Sequence, residues 1–215
     1  MKSTHSYSED EKAAVYKTIA ERRDIRHFNG LAIDEEIFQK ILSTAHMAPS
    51  VGLMQPWRFI RVSDPALRLQ VHTIVDDERQ QTAAALGDRK DEFLHLKVEG
   101  IMQCAELVIA ALPDKREQHV FGRRTLPEMD LASLACAIQN MWLAARAEGI
   151  GMGWVSLFDP EAIKALFSMP DDSKPIAILC FGQVDEFYAK PMLVLEKWAQ
   201  QKPLEEMIST DVWRD

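Results

Sequence analysis

The sequence predicts a mixed helix–strand domain organised around one long buried helix, and three observations predict it. Residues 131 to 147 carry Leu134, Ile138, Met141, Trp142 and Leu143 among small alanines, apolar on nearly every face, as befits the middle of a domain or an interface. Two short apolar runs, 105 to 112 and 176 to 181, are rich in small and branched residues and fit buried strands. Asp64-Pro65 and Asp159-Pro160 each pair a capping residue with a proline at a first helical position.

The elements follow in order. Ser8 and Glu11 have capping-box spacing, and Ala14, Val15 and Ile19 then recur at helical intervals up to Arg22 and Arg23. Asp34, Glu35 and Glu36 open a second helix whose apolar face is Ile37, Ile41, Leu42 and Ala45, ending near Met47. Residues 48 to 59 form a loop feeding a strand at 57 to 62. Pro49 and Gly52 break the helical pattern, and Pro56 directs Gln55 towards an extended conformation. A helix is expected from 65 to about 85, then a charged segment, 87 to 99, that is a helix, a mobile lid or both. Residues 114 to 127 read as a surface loop, and Asp130 starts the long helix, which Gly149 stops. A short strand at 154 to 157, a helix from 160 to about 167 and the strand stopped by Gly182 complete the domain. The tail, 185 to 215, is polar with anchors at Trp198, Leu204, Ile208 and Trp213.

With 215 residues, the chain fits one domain able to bury a core without metal or disulfides; residues 1 to 8 are expected to be flexible. A net charge of −8 opposes long-range attraction to nucleic acid or an anionic membrane, so any phosphate must be met locally. Arg22, Arg23 and Arg26 are a local cluster suited to that task, although such clusters are often only solvated faces. Cys104, Cys136 and Cys180 are odd in number and lie in or beside apolar runs, which reads as three buried, reduced thiols in a cytoplasmic protein. The N-terminal segment has no apolar signal region, no run approaches membrane-spanning length, and no ligand spacing suggests zinc.

Gly149, Gly151 and Gly153 do not make a dinucleotide fingerprint. That motif needs a strand before the glycines and a helix after them, and here the order is reversed. They serve either as a helix stop and turn or as a place where backbone N–H groups approach a flat ring.

Three stretches in order resemble the nitroreductase superfamily. Ser50, Leu53, Gln55, Pro56 and Trp57 match its Ser-x-x-Asn-x-Gln-Pro-Trp loop with leucine in place of asparagine. Residues 22 to 28 match its Arg-Arg-Ser-x-Arg-x-Phe segment with Asp24 in place of serine, and residues 149 to 160 match a third segment that carries Ser156. These departures are typical of a subgroup that destroys flavin. The resemblance spans about residues 21 to 208. It implies an α+β fold with a mainly antiparallel central sheet flanked by helices, and a homodimer whose tail, 185 to 215, embraces the second subunit.

The activity so implied is oxygen-dependent fragmentation of reduced FMN, FMNH2, to 5,6-dimethylbenzimidazole and D-erythrose 4-phosphate, providing the lower ligand of cobalamin. FMNH2 is consumed as substrate, O2 is co-substrate, and a separate flavin reductase supplies the reduced flavin. By the resemblance, Arg22, Arg23, Asp24, Ile25, Arg26, Ser50, Leu53, Gln55, Leu96, Gly151, Gly153 and Ser156 contact flavin, with Met54 and Trp57 beside the ring. Lys197 and Lys202 resemble tail residues near the phosphate. Asp24 and Ser156 are the candidate catalytic pair, a carboxylate base and a hydroxyl at the ring edge. Asp24 can instead pair with Arg22 or Arg26, and Ser156 can satisfy a strand end. His27 shows no partner for a triad. An NAD(P)H-dependent FMN nitroreductase or flavin reductase, and a non-catalytic flavin-binding protein, remain open as alternatives.

Overall fold

The computed structural model describes residues 5–213, so residues 1 to 4 of the segment expected to be flexible lie outside the described part. Its centre is a four-stranded antiparallel sheet in the order β1-β2-β4-β3, with β1 Arg58–Arg61, β2 Glu106–Leu112, β3 Gly151–Val155 and β4 Lys174–Gly182. The expected α+β architecture is borne out.

Both faces of the sheet are covered, which explains why β2 and β4 read as continuous apolar runs. Val108, Ala110, Leu179 and Phe181 face one core layer, shared with α2 (Glu35–His46) and α5 (Met129–Ala147) through Phe38, Ile41, Leu134, Ile138 and Met141. Leu107, Ile109, Ile178 and Cys180 face the other, shared with α3 (Pro65–Ala85) and α6 (Pro160–Leu166) through Val71, Val75 and Ile163. On β1 the same division holds, since the apolar neighbours Phe59 and Ile60 each pack against a different layer.

Local signals set most helix ends. Asp34, Asp64 and Asp159 each accept backbone N–H groups from their own first turns. Ser8 and Glu11 close their capping box on α1 (Glu9–Glu21). Gly149 takes φ +74° beyond the end of α5, where Ile150 N–H donates to the Ala145 carbonyl at 2.8 Å.

Several expectations are corrected. Gln55 is not extended but lies at φ +49°. A tight reversal holds it there, with its N–H donating to Ser50 Oγ at 3.0 Å and its carbonyl accepting from Trp57 N–H at 2.9 Å. The loop also contains a short 3-10 turn at Val51–Leu53. Asp130 does not precede α5 but sits buried in its first turn, drawn in by Arg116 and Arg123. The strand expected at 154 to 157 begins at Gly151, because the glycines themselves pair with β4. Cys136 is exposed, on a face of α5 with Leu131 and Ala132 that the rest of the chain leaves uncovered.

The charged segment after α3 folds as a 3-10 turn (Gly87–Arg89) and α4 (Lys90–His95). Beyond β4 the tail holds α7 (Met192–Leu195) and a 3-10 turn at Leu204–Met207. Trp198 anchors it, packing on Phe93 with Arg89 stacked 3.6 Å from its ring centre, whereas Leu204, Ile208 and Trp213 stay exposed. No helix among the described residues is long and apolar enough to cross a membrane.

The thiols give a direct check of this arrangement. Cys104 and Cys180 are buried together, and the neighbouring Cys104 with burial pushes the Cys180 thiol well up, leaving little of the reactive thiolate. Ellman's reagent is expected to react with no more than one thiol in the native protein and with all three in denaturant. Rapid reaction of two in the native state would contradict this core.

Candidate functional site

A cavity of about 670 Å³ opens where four pieces of chain meet: residues 19 to 26, the end of β3 with residues 156 and 157, the α4 region, and the tail from 189 to 201. The end of α1 delivers the first piece, and β3 holds it. Asp24 forms a parallel bridge with Met152, and Ile25 N–H donates to the Met152 carbonyl at 3.0 Å while the Ile25 side chain is wholly buried. This approach is possible only beside glycine. A Cβ on Gly153 would stand 2.2 Å from the Ile25 carbonyl oxygen, and one on Gly151 would stand 2.5 Å from a Val184 methyl. The two glycines thus admit the chain's own neighbouring segments, and neither lines the cavity.

Asp24 is held from two sides. Its carboxylate accepts both ends of the Arg26 guanidinium, at 2.5 and 2.7 Å, and the backbone N–H of Trp154 at 2.9 Å. Even so, its side chain keeps 42% of its surface open to the cavity. Burial raises its pKa above the usual carboxylate value, and the opposing pull of Arg26, the Trp154 N–H and Arg22 does not reverse the direction. Ser156 is an exposed residue lining the same cavity, and its hydroxyl makes no hydrogen bond among the described residues.

The cations differ in how they are occupied. Arg26 gives its forks to Asp24 and to the Trp154 and Ile25 carbonyls. Arg23 donates to the Ala20, Arg22 and Ala189 carbonyls, which ties the segment to the tail. Arg22 lies 4.6 Å from the centre of the Trp142 ring, and that indole donates to the Arg23 and Met152 carbonyls at 3.0 Å. Lys190 lines the cavity too, whereas Lys197 and Lys202 do not. Much of the remaining lining is apolar: Phe93, Leu96, Val98, Leu157, Met192 and Trp198.

The structure therefore brings together Arg22, Arg23, Asp24, Arg26, Leu96 and Ser156, with Ile25 beneath them in the core. It does not bring Ser50, Leu53 or Gln55 to this cavity. Ser50 Oγ is engaged by Gln55, Leu53 is exposed, and Trp57 is buried in the core. Their loop is pinned at the other end of α5, where Val51 N–H donates to Ser133 Oγ at 3.0 Å. Ser133 and Trp142 are nine residues apart on that helix, which separates the loop from the Arg22 segment by roughly 14 Å along the axis.

Sequence reasoning missed Lys190, Phe93, Leu157 and the cavity role of Trp154. The first two lay in a tail and a charged segment whose paths no motif constrains. Trp154 directly follows Gly153, so a bulky residue beside the glycines was the available signal.

In charge and shape the cavity suits an amphipathic ligand with an anionic end near Arg22, Arg23 and Lys190 and a flat apolar body against the Leu96 and Trp198 wall. A flavin mononucleotide has that chemistry. No cluster of three or more His, Cys, Asp or Glu able to hold a metal ion occurs among the described residues.

Comparison with known proteins shows the family. A profile of the Nitroreductase family matches residues 19–183. A protein of Rhodospirillum rubrum named 5,6-dimethylbenzimidazole synthase is 40% identical over 188 residues, covering 85% of this chain and 87% of that protein. One of the same name from Rhodobacter capsulatus is 35% identical, covering 93% and 98%. Among solved structures, oxidised iodotyrosine deiodinase bound to FMN and 3-iodo-L-tyrosine superposes with a TM-score of 0.71 at 19% identity, covering 93% of this chain and all of that one, a likeness of fold.

Proposed function

The chain belongs to the nitroreductase family and is an oxidoreductase, and from that premise we propose that it fragments FMNH2 with O2 to 5,6-dimethylbenzimidazole and D-erythrose 4-phosphate. The observation that carries the reading is the meeting of Asp24 and Ser156 in one cavity with a cationic end and an apolar wall. The full-length relatives named for benzimidazole synthesis support it.

FMNH2, as substrate, supplies the electrons that reduce O2 and all the product carbons: the dimethylbenzene ring and one ribityl carbon go to the benzimidazole, the other four ribityl carbons to erythrose 4-phosphate, and the four pyrimidine carbons leave as a third fragment. The residues do the rest. Arg22, Arg23 and Lys190 hold the phosphate, Arg22 with the guanidinium least committed to its own chain. Phe93, Leu96, Val98 and Trp198 exclude water and confine dioxygen, which needs access rather than a polar site. Asp24 takes a proton on its carboxylate, whose side chain is partly open to the cavity, and a raised pKa brings a carboxylate closer to the working pH of a general base. Ser156 Oγ, with no partner of its own, orients or relays a proton at the ring edge. A separate flavin reductase supplies FMNH2, and the benzimidazole becomes the lower ligand of cobalamin.

The working unit in this reading is a homodimer of single-domain chains. Ser50, Leu53 and Gln55 cannot reach their own cavity, so the loop of a second copy completes it. Val15, Tyr16 and Ile19 on α1, the open face of α5, and Leu204, Ile208 and Trp213 in the tail are exposed apolar surface that a second copy would cover.

The test is to mix purified protein anaerobically with excess chemically reduced FMN, admit air and resolve the products by chromatography and mass spectrometry. Enzyme-dependent 5,6-dimethylbenzimidazole is the expected result. Return of intact oxidised FMN alone would overturn the reading and direct the assay to NAD(P)H with a nitroarene acceptor.

A further inference from the structure

We propose that Arg26 is a positioning residue for Asp24, seated in the space left by the missing side chain of Gly153, and is not a phosphate contact. This rests on the reading of the cavity as a reduced-flavin site, within which the arginine cluster as a whole would be assigned to phosphate.

The donors decide the assignment. Arg26 Nη1 donates to Asp24 Oδ1 and, at 3.2 Å, to the Ile25 carbonyl. Nη2 donates to Asp24 Oδ2 and to the Trp154 carbonyl, both at 2.7 Å. Nε is buried without a partner, and the whole residue is only 8% exposed. A phosphate would have to strip these bonds from an already buried cation. Arg22 and Lys190 meet the cavity without that cost.

The seat is as specific as the pair. A Cβ on Gly153 would lie 2.2 Å from the Ile25 carbonyl oxygen and 2.7 Å from Arg26 Nη1, so any side chain there would displace the segment and the guanidinium it carries. Gly153 pairs with Cys180 across β3 and β4, which places Arg26 over the rigid sheet. Asp24 is thereby gripped by an arginine on one side and by the Trp154 N–H of the same strand on the other, with its free surface turned to the cavity. Two carboxylate oxygens held by three donors leave little rotational freedom.

The charged groups around Asp24 are Arg22, Arg23 and Arg26 from its own segment and Lys190 from the tail. From β3 and the residue after it come the Trp154 N–H and the neutral Ser156; from β4 comes Cys180; the α4 side contributes apolar Phe93, Leu96 and Val98. Removing Arg26 therefore removes the cation that, among the described residues, is in direct contact with the carboxylate.

The experiment is a 13C NMR titration of the Asp24 carboxyl, assigned with Asp24→Asn, in the wild-type protein and in Arg26→Gln, with FMN and riboflavin affinities measured in parallel. The midpoint in Arg26→Gln is expected to rise by at least about one unit. Turnover should fall while KM changes little, and by the same factor for reduced FMN as for reduced riboflavin. Arg26→Lys, which keeps the charge but loses the fork, should shift the midpoint upward by less, and it carries the test if Arg26→Gln does not fold. An unmoved midpoint, or FMN affinity at least tenfold weaker with riboflavin affinity unchanged, would overturn the proposal and return Arg26 to phosphate. A wild-type protein that makes no benzimidazole would defeat the functional reading while leaving the titration to decide this one.

Discussion

Asp24→Asn is expected to fold, to bind FMN, and to lose benzimidazole formation by about 10²–10⁴-fold, the usual worth of a positioned base. The stability half follows from the direction of the carboxyl's shift. Because the folded state raises its pKa, the stability Asp24 contributes is fully present below the unfolded value of about 3.9 and is lost as pH rises through the folded value. At neutral pH the ionised group is therefore no asset to folding. An amide of the same shape keeps one acceptor oxygen for Arg26 Nη1 and the Trp154 N–H and loses the acceptor of Arg26 Nη2, which retains the Trp154 carbonyl while Nη1 retains that of Ile25. Thermal unfolding and product yield measured together separate the two effects. Normal yield would remove Asp24 from the chemistry, and a large loss of stability would show that the ion pair is structural after all. Ser156→Ala should lower yield in the same assay without touching any hydrogen bond of the described chain.

Asp130→Ala is expected to cost roughly 3 kcal/mol and to release the 114 to 127 segment from α5. Breaking a buried ion pair from one side leaves the other charge uncompensated, typically at about 3–5 kcal/mol, and the low end applies because this loop can swing its arginines into water. Asp130 is 5% exposed, and its Oδ2 accepts Arg116 Nε and Arg123 Nη2, both at 2.9 Å. Phe121 and Gly122 rest against Gly52 and Val51, so freeing the segment also uncovers the loop that carries Ser50 and Gln55. Limited trypsin digestion should show faster cleavage after Arg116 and Arg123 in the variant than in wild type. Equal cleavage rates with equal stability would mean that other contacts hold the segment.

Much of the fold was legible because its signals are local. Asp34, Asp64-Pro65, Asp159-Pro160, the Ser8 capping box and Gly149 mark helix ends through bonds made within a few residues, and each end falls where those residues place it. The signals that failed depend on side-chain partners and orientation that a local pattern does not specify. Asp130 resembles a helix start until Arg116 and Arg123 draw it into the first turn, and Cys136 resembles a core thiol until the helix's orientation turns it outward. At Gln55 the following proline argued for extended backbone, and bonds to Ser50 and Trp57 set a left-handed one.

The candidate site divides in the same way. From sequence alone come the resemblance to the family, the three motif segments, Leu53 and Asp24 as departures from its pattern, and Asp24 and Ser156 as the candidate catalytic pair, because a motif is a local pattern of side chains. Only the tertiary structure decided that Arg26 pairs with Asp24, that Gly153 leaves room for the Ile25 carbonyl and the Arg26 guanidinium, that Lys190 rather than Lys197 or Lys202 lines the cavity, and that Ser50 and Gln55 stand away from it. Which donor meets which acceptor depends on where a four-stranded sheet and a long helix bring remote segments together, and no spacing along the chain encodes that distance.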